Sequence, residues 1–323
     1  MFTEHELDTA HSLVSKLVPP TPALDWPLLA EALGARQVIV KHENHAPTGA
    51  FKVRGGVTFM DWLKREHPDM EGVITATRGN HGQSQARAAT ALGLKAKIYV
   101  PKGNSVEKNA AMRAYGADLV EYGNDFDEAK DEAMRIAATL PLFPVPPFHR
   151  ELVRGVATYG LELFRAHPDL ERVYVPIGCG SGICGTIAAR DALGLKCEVV
   201  GVVSTGADGA LRSVAEGMPI ATDSARTFAD GMAVRVPVAE ALAIYGAGAH
   251  HLGAVPDEAI AEAIRLYFTA THNLAEGAGA AALALAMAER EELKGRKVGL
   301  ILSGGNIDRA WYAEILNGRT PEV

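Results

Sequence analysis

Cysteine is scarce in this sequence: Cys179, Cys184 and Cys197 are the three among 323 residues. A small odd number fits reduced thiols and argues against a disulfide frame. Cys179 and Cys184 have no histidine cluster beside them, so zinc is not expected. The adjacent His250 and His251 do not supply one, because neighbours in an extended segment face opposite ways. No metal site is expected at all. Long apolar runs are missing too; nothing reaches the ~18 uninterrupted apolar residues of a membrane span. Basic clusters are also absent. The formal charge is −7, which argues against nucleic acid as a partner. The opening MFTEHELDTAHSLV lacks the basic–apolar–small order of a secretory signal, so the expected location is the cytoplasm. There are no internal repeats and no low-complexity segments.

What is present is an ordinary globular composition, 48% hydrophobic, and a recurring order of strand, glycine and helix. Strands are expected at Gln37–Lys41, Gly72–Ala76, Ala96–Val100, Asp118–Glu121, Arg172–Ile177, Cys197–Val203 and Lys297–Leu302. The last three are continuously apolar, as in a parallel sheet covered on both faces. Helices are expected at about His81–Leu92, after Ser105, and at Asp127–Leu140, Leu152–Ala166, Ile183–Leu193, Asp257–Thr271, Ala278–Glu291 and Asp308–Leu316. Ser105 reads as a cap, with Lys108 where a capping box would place Glu or Gln. The stretch PLFPVPPF, residues 141–148, holds four prolines and reads as a crossing between two lobes.

Three glycine-bearing turns follow strands, where α/β proteins place ligands. GCGSGICG, Gly178–Gly185, precedes a helix; its backbone N–H groups and the helix end can cradle a phosphate. It is not a Walker loop. A dinucleotide site would want an acid near the end of the next strand, and Glu198 stands at that strand's beginning. A plain tight turn is the alternative. TATRGNHGQ, Thr75–Gln83, offers Thr77, Asn80 and helix-start amides to a carboxylate, with His81 as binding group or ordinary helix surface. LSGGNID, Leu302–Asp308, ends a strand at Ser303, a hydroxyl for a buried ring nitrogen or a cap for the last helix.

A lysine completes the set. PTGAFKVRGG, Pro47–Gly56, places Lys52 in a Gly-flanked, partly apolar turn. A lone lysine is ordinarily solvated. A lysine kept near neutrality can instead form a Schiff base with a carbonyl. One amine, one phosphate cradle, one carboxylate loop and one hydroxyl for a ring nitrogen match the parts of a pyridoxal 5′-phosphate site.

With these motifs in this order, the sequence resembles the serine/threonine dehydratases of the pyridoxal-phosphate fold-type II enzymes, which include serine racemase. The likeness runs from PTPALDWPLL to LSGGNID. ENHAPTGAFKVRGG is similar to the family's ENxxPTGSFKxRGA, with Ala50 for serine, and Val53 favours the dehydratase branch over threonine synthases. The resemblance implies an α/β fold of two lobes, each an open, mostly parallel sheet flanked by helices. Residues 1–60 with 148–323 would form the large cofactor-binding lobe and 61–147 a smaller mobile one. It implies that Lys52 is the Schiff-base lysine, that Phe51 packs on the ring, and that Asn80 meets the phenolic oxygen. Gly178, Cys179, Gly180, Ser181 and Gly182 would hold the phosphate, Ser303 would face the ring nitrogen, and Glu276 would lie near the cofactor, with Gly277 replacing the family's proline. Thr77, Gly79 and His81 would line the substrate carboxylate pocket.

The expected activity is β-elimination on a 3-hydroxy-L-amino acid, giving a 2-oxo acid and ammonia. The substrate would be serine, threonine, or a bulkier or acidic analogue such as phenylserine or 3-hydroxyaspartate. A homodimer is the family expectation. The alternatives are an amino-acid racemase of the same fold and, in another class, a non-catalytic amino-acid- or nucleotide-binding protein. Arg78 stands where the family's racemases carry an acid/base serine. It either contacts an anionic part of the substrate or points outward to pair with an acid. The stretch Val203–Gly209 lacks both carboxylates of the family's divalent-cation site, Asp208 being one position off. The chain leaves little room after LSGGNID, so no C-terminal regulatory domain is expected.

Overall fold

Short β-branched runs separated by longer amphipathic ones build two parallel sheets in the computed structural model, which describes residues 1–322. The strands in chain order are β1 (Ala23–Asp25), β2 (Gln37–His42), β3 (Gly72–Ala76), β4 (Lys95–Val100), β5 (Asp118–Glu121), β6 (Leu142–Pro144), β7 (Arg172–Pro176), β8 (Glu198–Ser204), β9 (His251–Val255) and β10 (Lys297–Leu302). The larger sheet has the order β1-β2-β10-β7-β8-β9, and the smaller β5-β4-β3-β6. Every pairing is parallel except β1 with β2.

Alternation along the large strands sorts their side chains between two cores. Val38, Val40, Tyr174, Val200, Val202, Val298 and Leu300 face the helices Asp257–Thr271 and Gly277–Ala288. Ile39, Val173, Val175, Val199, Val203 and Ile301 face the helices Arg150–Ala166 and Ser181–Ala192. With both faces covered, near-continuous apolar runs are what the strands require. The smaller sheet is covered by the helices Asn80–Ala91 and Val106–Ala114 on one side and Phe126–Ala137 on the other. Among the described residues no helix is long and apolar enough to cross a membrane.

The structure departs from the sequence reading in a few places. Lys52 is not in a turn: it opens a 15-residue helix, Lys52–Glu66. Gly55 and Gly56 lie within that helix, where a Cβ would come 2.6 Å from the Leu152 carbonyl oxygen and from Ser84 Oγ respectively. They permit close helix packing. Val53, Val57, Phe59, Met60 and Leu63 of this helix join the core of the smaller sheet, so the expected boundary at residue 60 falls inside a helix. The proline-rich crossing contains β6, which pairs with β3 at the sheet edge, where proline is tolerated. Strands β1 and β9 and the helices Glu4–Val14, Pro27–Leu33, Gly209–Glu216 and Ala239–Gly248 were not expected either. Most are short, and β1 and β9 carry little fully buried surface to mark them.

Candidate active site

All three glycine turns open at the carboxyl ends of strands, β3, β7 and β10, and the chain before Lys52 is laid beside the last of them. The Phe51 N–H donates to the Ser303 carbonyl at 3.1 Å, and the Gly305 N–H donates to the Gly49 carbonyl at 2.9 Å. An isolated antiparallel bridge joins Ala50 to Gly304. These bonds fix where the Lys52 helix begins. Its first carbonyl accepts from Ser84 Oγ at 2.7 Å, tying it to the helix that starts at Asn80. The Phe51 ring stands edge-on to Tyr159, centroids 5.9 Å apart, and the Tyr159 hydroxyl donates to the Gly182 carbonyl at 2.8 Å. The Lys52 Nζ lies 4.7 Å from the centre of the Phe51 ring.

Burial lowers the Lys52 pKa from its ordinary value, while Cys179 and Glu276 pull the other way. Glu276 is 3% exposed. Burial pushes its carboxyl up to about 7, Asp230 adds to this, and Lys108, the Asn80 amide and Lys52 oppose it. His81 is brought down to about 3 by burial and then by Lys52, so its ring is neutral. Cys179 is half-buried in the turn and its thiol is pushed up by burial, with Lys52 opposing.

These residues fit a phosphorylated aldehyde with an aromatic ring. The turn Gly178–Gly182 carries three glycines and leads into the helix Ser181–Ala192, whose N-terminal end favours an anion. Gly180 is left-handed, φ +98°, and a Cβ on it would come 2.7 Å from Ala241 Cβ. A Cβ on Gly178 would overlap the Gly231 carbonyl. Two polar atoms in the site, Glu276 Oε2 and His81 Nε2, are buried without a partner. An unmet polar atom is unfavourable in a dry site unless a ligand meets it.

Most of the residues singled out in the sequence converge here. Thr77 is buried, and its Oγ1 accepts from the Gly79 N–H at 3.1 Å. Asn80 Nδ2 donates to Glu276 Oε1 at 2.7 Å, and Asn80 Oδ1 accepts from Asn306 Nδ2 at 2.7 Å. Ser303 is 3% exposed. Asp308 flanks the last helix at its N-cap position, so the capping alternative for Ser303 is overturned. Arg78 is exposed and has no hydrogen bond or ion pair among the described residues, so the outward-paired alternative loses its acid. Glu198 opens β8 and bonds Arg172 at 2.7 Å and Arg296 at 2.8 Å, so it is not free to meet a dinucleotide. Asp208 bonds Arg212 at 2.9 Å. His251 bonds Glu289 at 2.7 Å.

Sequence reasoning missed Tyr159, Ser84, Asn306, Asp230 and the role of Lys108. Asn306 was visible within LSGGNID. Lys108 left a trace as the wrong residue for a capping box. Asp230 and Tyr159 left none, because their importance comes from contacts far along the chain.

The family described as "Pyridoxal-phosphate dependent enzyme" matches residues 14–304. An L-threonine ammonia-lyase of Thermotoga maritima is 33% identical over 318 residues, 98% of this chain and 79% of that protein. A serine racemase of Schizosaccharomyces pombe is 29% identical over 316 residues, 98% of this chain and 97% of that protein. The solved processed form of threonine deaminase isoform 2 from Solanum lycopersicum superposes with a TM-score of 0.90 at 30% identity, covering 98% of this chain and 94% of that one. With a lysine, a glycine cradle and two unmet polar atoms in one cleft, the chain belongs to the pyridoxal-phosphate-dependent enzymes, in their fold-type II branch of lyases and racemases.

Proposed function

We propose that this enzyme is an ammonia-lyase that removes the β-hydroxyl of a 3-hydroxy-L-amino acid and yields a 2-oxo acid and ammonia. The observation that carries the reading is Lys52: its amine is depressed by burial and lies above the Phe51 ring, facing Cys179 of the glycine turn and Glu276. Pyridoxal 5′-phosphate, when bound, supplies an aldehyde for the amine and a ring that makes the α-proton of a joined amino acid acidic. Lys52 and Phe51 would hold it with the Gly178–Gly182 amides at the phosphate, Asn80 and Glu276 at one ring edge and Ser303 at the other.

The chain's own groups then divide the work. Lys52 Nζ, neutral for more of the time than a solvated lysine, takes the α-proton. Backbone amides of Thr77–His81, at the start of a helix, bind the α-carboxylate. The Cα–H bond breaks toward Lys52, its electron pair becomes the Cα–Cβ double bond, and the Cβ–O bond breaks with its pair going to the hydroxyl, which leaves as water with the proton that Lys52 took. Water later returns as ammonia is lost. Residues 61–147 would close over residues 1–60 and 148–323 and exclude solvent. Racemisation needs a second base on the opposite face. Position 78 offers an arginine, which stays protonated.

A panel of serine, threonine, phenylserine and 3-hydroxyaspartate, in both β-configurations, tests this with a 2-oxo acid assay. Formation of 2-oxo acid that disappears in Lys52→Ala is expected. Inversion of the α-carbon without 2-oxo acid would overturn the reading in favour of a racemase. A colourless protein that binds nucleotide would remove it altogether.

A further inference from the structure

The loop that faces the substrate is held from outside its own strand. The stem of Lys108 runs past Gly79, where a Cβ would lie 2.9 Å from Lys108 Cδ. Lys108 sits in the first turn of the helix Val106–Ala114, a poor place for a cation because that end of a helix is electropositive. It is nevertheless 7% exposed. Its Nζ donates to the Asp230 carboxylate. Burial disfavours the ammonium, but Asp230, Glu276 and Asp308 more than offset this and raise its pKa.

Asp230 belongs to the other side of the cleft. Its turn, Asp230–Met232, packs the Gly231 carbonyl against Gly178 of the cradle. Asp257 anchors the segment before it, accepting from Thr227 Oγ1 at 2.5 Å and from the Phe228 N–H at 3.0 Å. The end of the Lys108 helix makes two contacts nearer the rim. Ser105 Oγ donates to Asp308 at 2.5 Å, and the Arg309 N–H donates to the Glu107 carboxylate at 3.3 Å. Lys108 is thus the buried centre of a docking edge.

We propose that Lys108 is a positioning residue and the latch of the cleft: its stem sets the loop 77–81, and its bond to Asp230 holds the lobe carrying that loop shut against the lobe carrying the cradle. Lys108 is buried and the Asp230 carboxylate half-buried, so the pair is stronger while the lobes are closed than it would be in open solvent. On opening, both charges regain hydration, so release carries no lasting penalty. The latch rests on the proposed reading of the site in one respect, that loop 77–81 faces the substrate. Its mechanical part stands without it.

Amide hydrogen exchange in the cofactor-free protein reads that mechanical part. Lys108→Met keeps the stem and loses the charge, and Asp230→Asn loses the other half. Each is expected to speed exchange of residues 77–81 by at least about tenfold. The double variant should do little more than either alone, and Lys108→Arg should restore part of the protection. In the loaded enzyme the same variants should raise KM for the amino acid about tenfold with a smaller change in kcat. If Lys108→Met does not fold, Asp230→Asn measures the same bond. Parent-like exchange, or fully additive effects, would overturn the latch. Faster exchange in the variants, with a parent that makes no 2-oxo acid on any substrate, would support the latch and overturn the reading of the site. Ample 2-oxo acid with parent-like exchange and KM would do the reverse.

Discussion

Glu276 shows how one side chain's surroundings decide its chemistry. An ordinary glutamate is ionised at neutral pH, yet this one is lifted from 4.5 to about 7 by burial and by Asp230. A carboxyl whose pKa is raised by folding contributes its stability below its unfolded value and loses it as pH climbs through the folded one. The cofactor-free protein is therefore penalised by about 3 kcal/mol above pH 7 relative to pH 4. Glu276→Gln keeps an oxygen for Asn80 and carries no such penalty. Its melting temperature should rise relative to the parent's between those two pH values; a difference that stays flat with pH would show that Glu276 is not displaced. Cys179 gives a second test. Cys184 and Cys197 are buried with thiols pushed up to about 12, whereas Cys179 is half-buried beside Lys52. Iodoacetamide should label only Cys179 in the folded protein, slowly because its pKa is raised too, and bound cofactor should protect it. Mass spectrometry of the digest reads this directly. The sequence made both residues visible as members of motifs, but not their altered acidity, which depends on neighbours such as Asp230.

The glycine turn and its helix form the next level. Gly178 and Gly182 look alike in GCGSG, yet space treats them differently. A Cβ on Gly178 would overlap the Gly231 carbonyl, whereas one on Gly182 would sit at ordinary distances, 3.6 Å from Phe51 Cζ and from the Tyr159 hydroxyl. Gly182 is also inside a helix, where alanine is the better residue by up to about 1 kcal/mol. Gly182→Ala should therefore fold as well as the parent and hold the cofactor more weakly, because its methyl would lie against Phe51, the ring proposed to pack against the cofactor. Gly178→Ala should lose about 1–3 kcal/mol of stability. Denaturant titration of the cofactor-free proteins, paired with cofactor binding, separates the two. The seven expected strands all form, most of them as short apolar runs rich in valine and isoleucine that bury themselves as sheet. β6 was hidden inside a proline-rich stretch and β1 in three residues, two of them exposed, and each pairs with the edge of a neighbouring strand.

The two lobes are joined by a buried charge network as well as by the latch. Arg54, on the Lys52 helix, bonds Glu43 at 2.8 Å and Glu162 at 2.8 Å, with Lys41 bonding Glu162 at 2.5 Å. The same helix buries Val53 and Val57 in the smaller core, so Arg54 pins it from the larger side. Lysine cannot reproduce the forked guanidinium contacts. Arg54→Lys keeps the charge but loses the forked hydrogen bonds; it should cost about 1.5–3 kcal/mol and should lower activity by loosening the helix that begins at Lys52. Parent-like melting would show that the network is not needed for stability. Several features were settled by residue order alone: the α/β class, the position of each ligand turn at a strand's end, and the lysine, glycine and serine motifs. Those signals are local, since a strand's pattern or a glycine's freedom is written within a few residues. The partners of those motifs were decided by folding. Lys108 lies 122 residues from Asp230, and Asn80 lies 196 residues from Glu276. No local preference encodes such pairs, because each is made only when two separately covered sheets bring their strand ends to the same cleft.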